Sequence, residues 1–164
     1  MDSHRYGPNL TLHDSPYALS LLARLSHPET RQPEVGMLCR RLFEYLFTTV
    51  ASQELPSTIQ QLPTRMTLIH PGYTWEGPVF SQEPKVVVVD VARAGIVPAQ
   101  IFYERFNEVL NPENVRQDHL FISRQVGAQG EVTGAAVAAA KIVGPLEGAI
   151  LVLPDPMGAT GGSL

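Results

Sequence analysis

The chain has 164 residues, 44% of them apolar and 17% charged, which is enough for one domain with its own hydrophobic core and no large disordered block. A net charge of -4 at pH 7 disfavours nucleic acid as a partner, because phosphate-backbone binders concentrate Lys and Arg on one surface. The opening residues carry no apolar run of signal-peptide length, and no stretch reaches the roughly 18 apolar residues of a spanning helix, so a cytoplasmic protein with no membrane partner is expected.

In chain order, residues 9–12 predict a short strand. Asp14 or Ser15 followed by Pro16 offers an N-cap and a first-turn proline for a helix to residue 25, which His27 and Pro28 end. Over residues 30–54, Val35, Leu38, Cys39, Leu42, Tyr45, Leu46 and Val50 recur at three- and four-residue steps, the period of a helix with one buried face. Cys39 is the single cysteine and cannot close an intrachain disulfide; its place in that pattern predicts a buried structural thiol. Residues 57–79 mix Pro63, Pro71, Gly72, Gly77 and Pro78 with β-branched and aromatic residues, which predicts an irregular β-hairpin or arm of the kind that serves a partner subunit.

Residues 85–91 change character. Five valines and Asp90, bounded by Pro84 and Gly95, predict a strand buried on both faces and hence a parallel α/β architecture. Asp90 needs a hydrogen-bonding partner in such a strand, which favours a structural role for it over a catalytic one. Ile101, Phe102, Phe106, Val109 and Leu110 mark one side of a helix over residues 96–110, and residues 118–123 return as a strand, completing a crossover unit. The Gly- and Ala-rich residues 127–140 fit either a mobile hood over a site or a surface hairpin. Residues 148–153 supply another apolar strand. His4, His13, His27, His70 and His119 have no metal-ligand spacing with one another or with Cys39, so no protein metal site is expected.

After that strand comes Asp155-Pro156-Met157-Gly158-Ala159-Thr160-Gly161-Gly162-Ser163, a turn placed to open a helix. Unpaired N–H groups and the positive end of the macrodipole gather at a helix start, and small residues let a phosphate approach the main chain. Gly158, Ala159, Gly161 and Gly162 are small, while Thr160 and Ser163 add hydroxyl donors. Asp155 is placed to accept from a vicinal diol such as that of ribose. The loop lacks the Gly-Lys-Ser/Thr ending of a nucleotide-triphosphate P-loop, which disfavours ATP hydrolysis.

The string Asp-Pro-Met-x-Ala-Thr-Gly-Gly-Ser is similar to the phosphoribosyl pyrophosphate signature of uracil phosphoribosyltransferases, which have a single acidic residue before the loop. Val91-Ala92-Arg93-Ala94-Gly95 resembles that family's Leu-Arg-Ala-Gly pyrophosphate loop, with Ala92 where a Leu is usual. Phe121-Ile122-Ser123-Arg124 resembles its strand ending in Tyr-Arg, with Gln125 and Val126 where acidic residues usually follow; Gly158 likewise replaces a Leu. The likeness covers nearly the whole chain and is strongest at residues 87–95 and 152–163.

The resemblance implies a type I phosphoribosyltransferase-like parallel sheet flanked by helices, with a β-arm, as a single domain over residues 1–164. It implies that uracil and phosphoribosyl pyrophosphate give uridine monophosphate and pyrophosphate. Arg93 and Asp155 would be the catalytic residues. The donor would be bound by Arg93, Ala94, Gly95, Arg124, Asp155, Pro156, Met157 and the Gly158 to Ser163 run. Magnesium would be carried mainly by the substrate's own oxygens, and the Ala92-Arg93 peptide would be cis. A homodimer or higher homo-oligomer would form through the β-arm. The family continues to a segment like Tyr-Ile-x-Pro-Gly-Leu-Gly-Asp that reads uracil, whereas this sequence stops at Leu164. No uracil-binding residues are therefore expected in this chain, the sheet would be incomplete at its C-terminus, part of the valine strand would be left uncovered, and a second chain or a longer product would complete it. The rival reading is a non-catalytic binding or regulatory module; a purine or orotate enzyme is disfavoured by the lone Asp155.

Overall fold

The computed structural model describes residues 9–126 and 132–157. Helix α1, Pro16–Leu25, starts where Ser15 accepts a hydrogen bond from the Ala18 N–H at 3.2 Å and Pro16 fills the first turn, a cap worth about 1 kcal/mol. Helix α2, Glu34–Glu54, begins after the expected start at residue 30 because Pro33 takes the N-cap position, where a missing N–H costs nothing. Residues 9–12 are in no strand. An extended segment becomes a strand only by joining a ladder, and the ladders among the described residues are β1–β2, β3–β4, β3–β6 and β4–β5.

Strands β1, Ser57–Pro63, and β2, Thr74–Phe80, pair antiparallel as a separate two-stranded sheet around a short 3-10 helix at Arg65–Leu68. This is the expected arm. The Trp75 ring lies across Gly77, so close that a Cβ there would sit 2.5 Å from it; glycine is what lets the indole cover its own strand.

The main sheet contains β3, Lys85–Ala92, then β4, Val115–Val126, β5, Val132–Lys141, and β6, Ala149–Val152, in the order β5-β4-β3-β6. Helix α3, Ile96–Val109, connects β3 to β4. β3 is parallel to both β4 and β6, while β5 runs antiparallel to β4, so the α/β sheet is mixed. For the Gly- and Ala-rich segment this is the hairpin alternative; residues 127–131 lie outside the described residues.

One face of β3, through Val86 and Val88, packs with Ile150, Val152 and Val115 against α2 and α3. Phe47 meets Phe102 and Phe106 edge-on at ring distances of 5.6 and 5.0 Å. The deepest α2 residues are Leu38, Phe43, Phe47 and Ala51, whereas Val35, Cys39, Leu42, Tyr45, Leu46 and Val50 are only half-buried. Helix α2 touches both α1 and α3, so it buries two faces, and the period marks mainly the one toward α1. Cys39 is correspondingly half-buried, shallower than its pattern implied. Arg40–Glu104 at 3.6 Å and Glu44–Arg105 at 3.0 Å join α2 to α3; the Gln100 amide and the Arg40 guanidinium hold the Glu104 carboxyl below its ordinary value.

The valine strand is not left uncovered. Val86, Val87, Val88 and Val89 are all at most 7% exposed, with Val86 and Val88 in the core that β3 forms with α2 and α3. Exposed apolar surface falls instead at Leu151 and Leu153, on and just beyond the outer strand. Among the described residues, no helix is long and apolar enough to cross a membrane.

Candidate functional site

Strand β3 ends at Ala92, and the chain turns through Arg93, Ala94 and Gly95 into α3, with Gly95 as the N-cap and its N–H on the Val91 carbonyl at 2.9 Å. Beside it, β6 ends at Val152, paired with Val88, and runs through buried Pro154 to Asp155. The two turns touch: a Cβ on Gly95 would lie 3.2 Å from the Pro154 carbonyl and 2.7 Å from the Val91 nitrogen. From β3 the chain crosses to β4 on one side, while β6 lies on the other. The gap between the C-terminal ends of β3 and β6 is thus the point where strand order reverses, the place where open α/β sheets bind ligands.

Gly95→Ala is expected to push these two backbones apart, since both neighbours of the new methyl are main chain. The overpacking costs about 1–3 kcal/mol. Thermal denaturation measures it, and an unchanged midpoint would show that the turns are not in such close contact.

Arg93 and Ala94 are exposed at this mouth, and the Ala92-Arg93 peptide is cis, the geometry the resemblance implied. Asp155 is half-buried and its Oδ1 accepts from the Met157 N–H at 2.8 Å. The carboxylate therefore shapes its own loop, a use of Asp that turn chemistry favours. Pro156 and Met157 are exposed. Gly158, Ala159, Thr160, Gly161, Gly162 and Ser163 lie outside the described residues. Strand β4 runs on past the end of β3: Phe121 pairs with Ala92, and Arg124, three residues further and paired with Ala135, is carried beyond the same edge. The topology therefore gathers Arg93, Arg124 and Asp155 at one end of the sheet.

An open cleft of about 290 Å³ between α1, α2 and the Asp155-Pro156 turn is lined by Leu19, Leu22, Leu42 and Leu46, with His13 and Cys39. Its walls are apolar and offer little to a phosphate. Among the described residues, no group of three or more His, Cys, Asp or Glu side chains could hold a metal ion.

One pair escaped the sequence reading. Asp90, 1% exposed, accepts through Oδ2 from Gln117 Nε2 at 3.3 Å and is hydrogen-bonded to His119 Nδ1. His119 stands directly opposite Asp90 in the β3–β4 ladder. The need for a partner was legible; its identity depended on register.

No protein-family model matches the chain, and no curated protein matches it. Among solved structures, the AQ2163 protein from Aquifex aeolicus is similar with a TM-score of 0.66 at 18% identity, over 93% of this chain. This chain spans 64% of that protein's length. At such identity the likeness shows the α/β fold.

Proposed function

We propose that this chain carries the phosphoribosyl pyrophosphate site of a uracil phosphoribosyltransferase, which joins uracil to the ribose and releases pyrophosphate. The observation that carries the reading is the contact between two turns of complementary chemistry at the strand-order reversal, one bearing Arg93 and the other Asp155. Displacement at the anomeric carbon passes through a cationic sugar, so the protein's task is to hold the diphosphate leaving group and orient the ribose. Arg93 and Arg124 would take the diphosphate, Asp155 the ribose hydroxyls, and the Gly158 to Ser163 run the 5-phosphate. The backbone at Ala94 and Gly95 would admit the diphosphate closely.

Magnesium fits as part of the substrate complex. Among the described residues the mouth offers Asp155 but no carboxylate cluster, so the diphosphate oxygens would be its main ligands, and the ion would offset their charge. The arm exposes Ile59, Leu68 and Ile69 at 68, 90 and 70%, an apolar surface suited to a second copy of the chain. A salvage enzyme of this kind would work in the cytoplasm.

Calorimetric titration of the purified chain with phosphoribosyl pyrophosphate and magnesium tests the binding claim, and a uracil-to-nucleotide assay with light scattering tests the rest. Saturable binding by an oligomer is expected of this chain. Absence of binding at millimolar donor would remove the assignment. Binding that persists without turnover even when a uracil-reading segment is supplied would identify a non-catalytic module.

A further inference from the structure

The Asp90 carboxylate is 1% exposed and its Oδ1 has no hydrogen-bond partner among the described residues. Such a group costs stability that another valine in this strand would not, so its presence calls for a positional reason. The ladder supplies one. Pairing of β3 with β6 runs from Lys85↔Ala149 to Val88↔Val152 and stops, whereas pairing with β4 continues to Ala92↔Phe121. Residues 89–92, the stretch that delivers Arg93, are therefore laddered on one side only among the described residues. In the middle of that stretch the Asp90 side chain reaches across to β4 and takes donors from Gln117 and His119. The same β4 strand continues to Arg124.

We propose that the Asp90–His119 pair is a positioning device for the anion site: it pins the one-sided end of β3 to β4 and so fixes the spacing between the Arg93 turn and the Arg124 position. The inference rests on the diphosphate reading above. A pair that served stability alone would lower the melting temperature and leave the affinity of the folded protein unchanged. A positioning pair changes affinity, because anion recognition by two cations depends on their separation.

The test titrates the full chain with inorganic pyrophosphate and magnesium, with thermal midpoints recorded in parallel. His119→Leu removes the donor at similar size, His119→Asn keeps an N–H donor close to the place of Nδ1, and Phe106→Leu thins the core away from the pair. Pyrophosphate is expected to bind His119→Leu about tenfold more weakly, with His119→Asn and Phe106→Leu within about twofold of the natural chain. If His119→Leu does not fold, His119→Gln, whose amide is displaced by one bond, takes its place with the same expectation. Unchanged affinity in the donor-less variant overturns the proposal, as does an equal loss in Phe106→Leu. A loss in His119→Asn as large as in His119→Leu would mean that the imidazole itself is required, which also overturns it. Failure of the natural chain to bind pyrophosphate removes the diphosphate reading and this inference with it; binding by the natural chain with no change in His119→Leu removes this inference alone.

Discussion

Arg93→Ala is expected to weaken binding of magnesium phosphoribosyl pyrophosphate by about 10- to 100-fold, the equivalent of about 1.5–3 kcal/mol from hydrogen bonds to a charged group. Three features set the size. Arg93 is exposed on a turn that leads into the N-terminus of α3, where the helix dipole already favours an anion. The turn is closed by the Gly95 N–H on the Val91 carbonyl at 2.9 Å and the Ile96 N–H on the Arg93 carbonyl at 3.3 Å, so the side chain projects from a fixed base. No ion pair engages the guanidinium among the described residues, which leaves it available to a ligand. Because the residue is exposed, the same substitution should move stability by no more than about 0.5 kcal/mol. Arg93→Lys should fall between the two, keeping the charge and losing the planar fork. Calorimetry on Arg93→Ala and Asp155→Ala decides the matter: unchanged affinity in both would end the claim that this mouth binds the donor.

The elements legible in the sequence were those with a strong local cause. Ser15 and Pro16 announced the start of α1, and the run of valines announced β3, because a cap and an apolar run act over a few residues. Strand β5 was announced only as one of two alternatives, a surface hairpin beside a mobile hood. Gly134, Ala135, Ala136, Ala138, Ala139 and Ala140 carry neither β-branched side chains nor alternation, and they are strand only because β4 offers a ladder. The α2 face was read one side short for a related reason: periodicity reports how apolar residues are spaced, and only packing tells that Phe43 and Phe47 meet the aromatic rings of α3 while Leu42 lines the cleft beside α1.

The candidate site divides the same way. Asp155 could be picked out by its position at the end of a strand, where ligand-facing residues of open α/β sheets gather, whereas Arg93 and Gly95 were marked by the resemblance of residues 91–95 to a pyrophosphate loop. That the two turns touch could not be read, because it depends on β6 lying next to β3 on the side away from β4. The Asp90 partner was hidden by the same step, for a shift of one residue in the β3–β4 register would put His119 on the opposite face.

Phe102→Ala is expected to cost about 3–5 kcal/mol, the largest stability loss of any single substitution considered, against a total of about 5–15 kcal/mol for a domain. Phe102 is 2% exposed in the middle of α3. Its ring meets Phe43 at 6.4 Å, Phe47 at 5.6 Å and Phe106 at 6.1 Å, all steeply inclined, and each such pair adds about 0.5–1.5 kcal/mol beyond its buried area. Those partners lie on two helices, so the cavity has walls that cannot collapse without moving α2 against α3, and the loss should fall in the upper part of the range. In a chain of this size the melting temperature should drop by about 10 °C or more. Val143→Ala is the comparison: Val143 is 60% exposed in the segment after β5, and its loss should stay within about 0.5 kcal/mol. Equal midpoints for the two variants would show that the aromatic cluster is not the centre of the core. The same experiment reaches the site, because α3 begins at Gly95: if the helix is held mainly by Phe102, pyrophosphate added to Phe102→Ala should raise its midpoint by mass action, as ligand binding to the folded state alone requires.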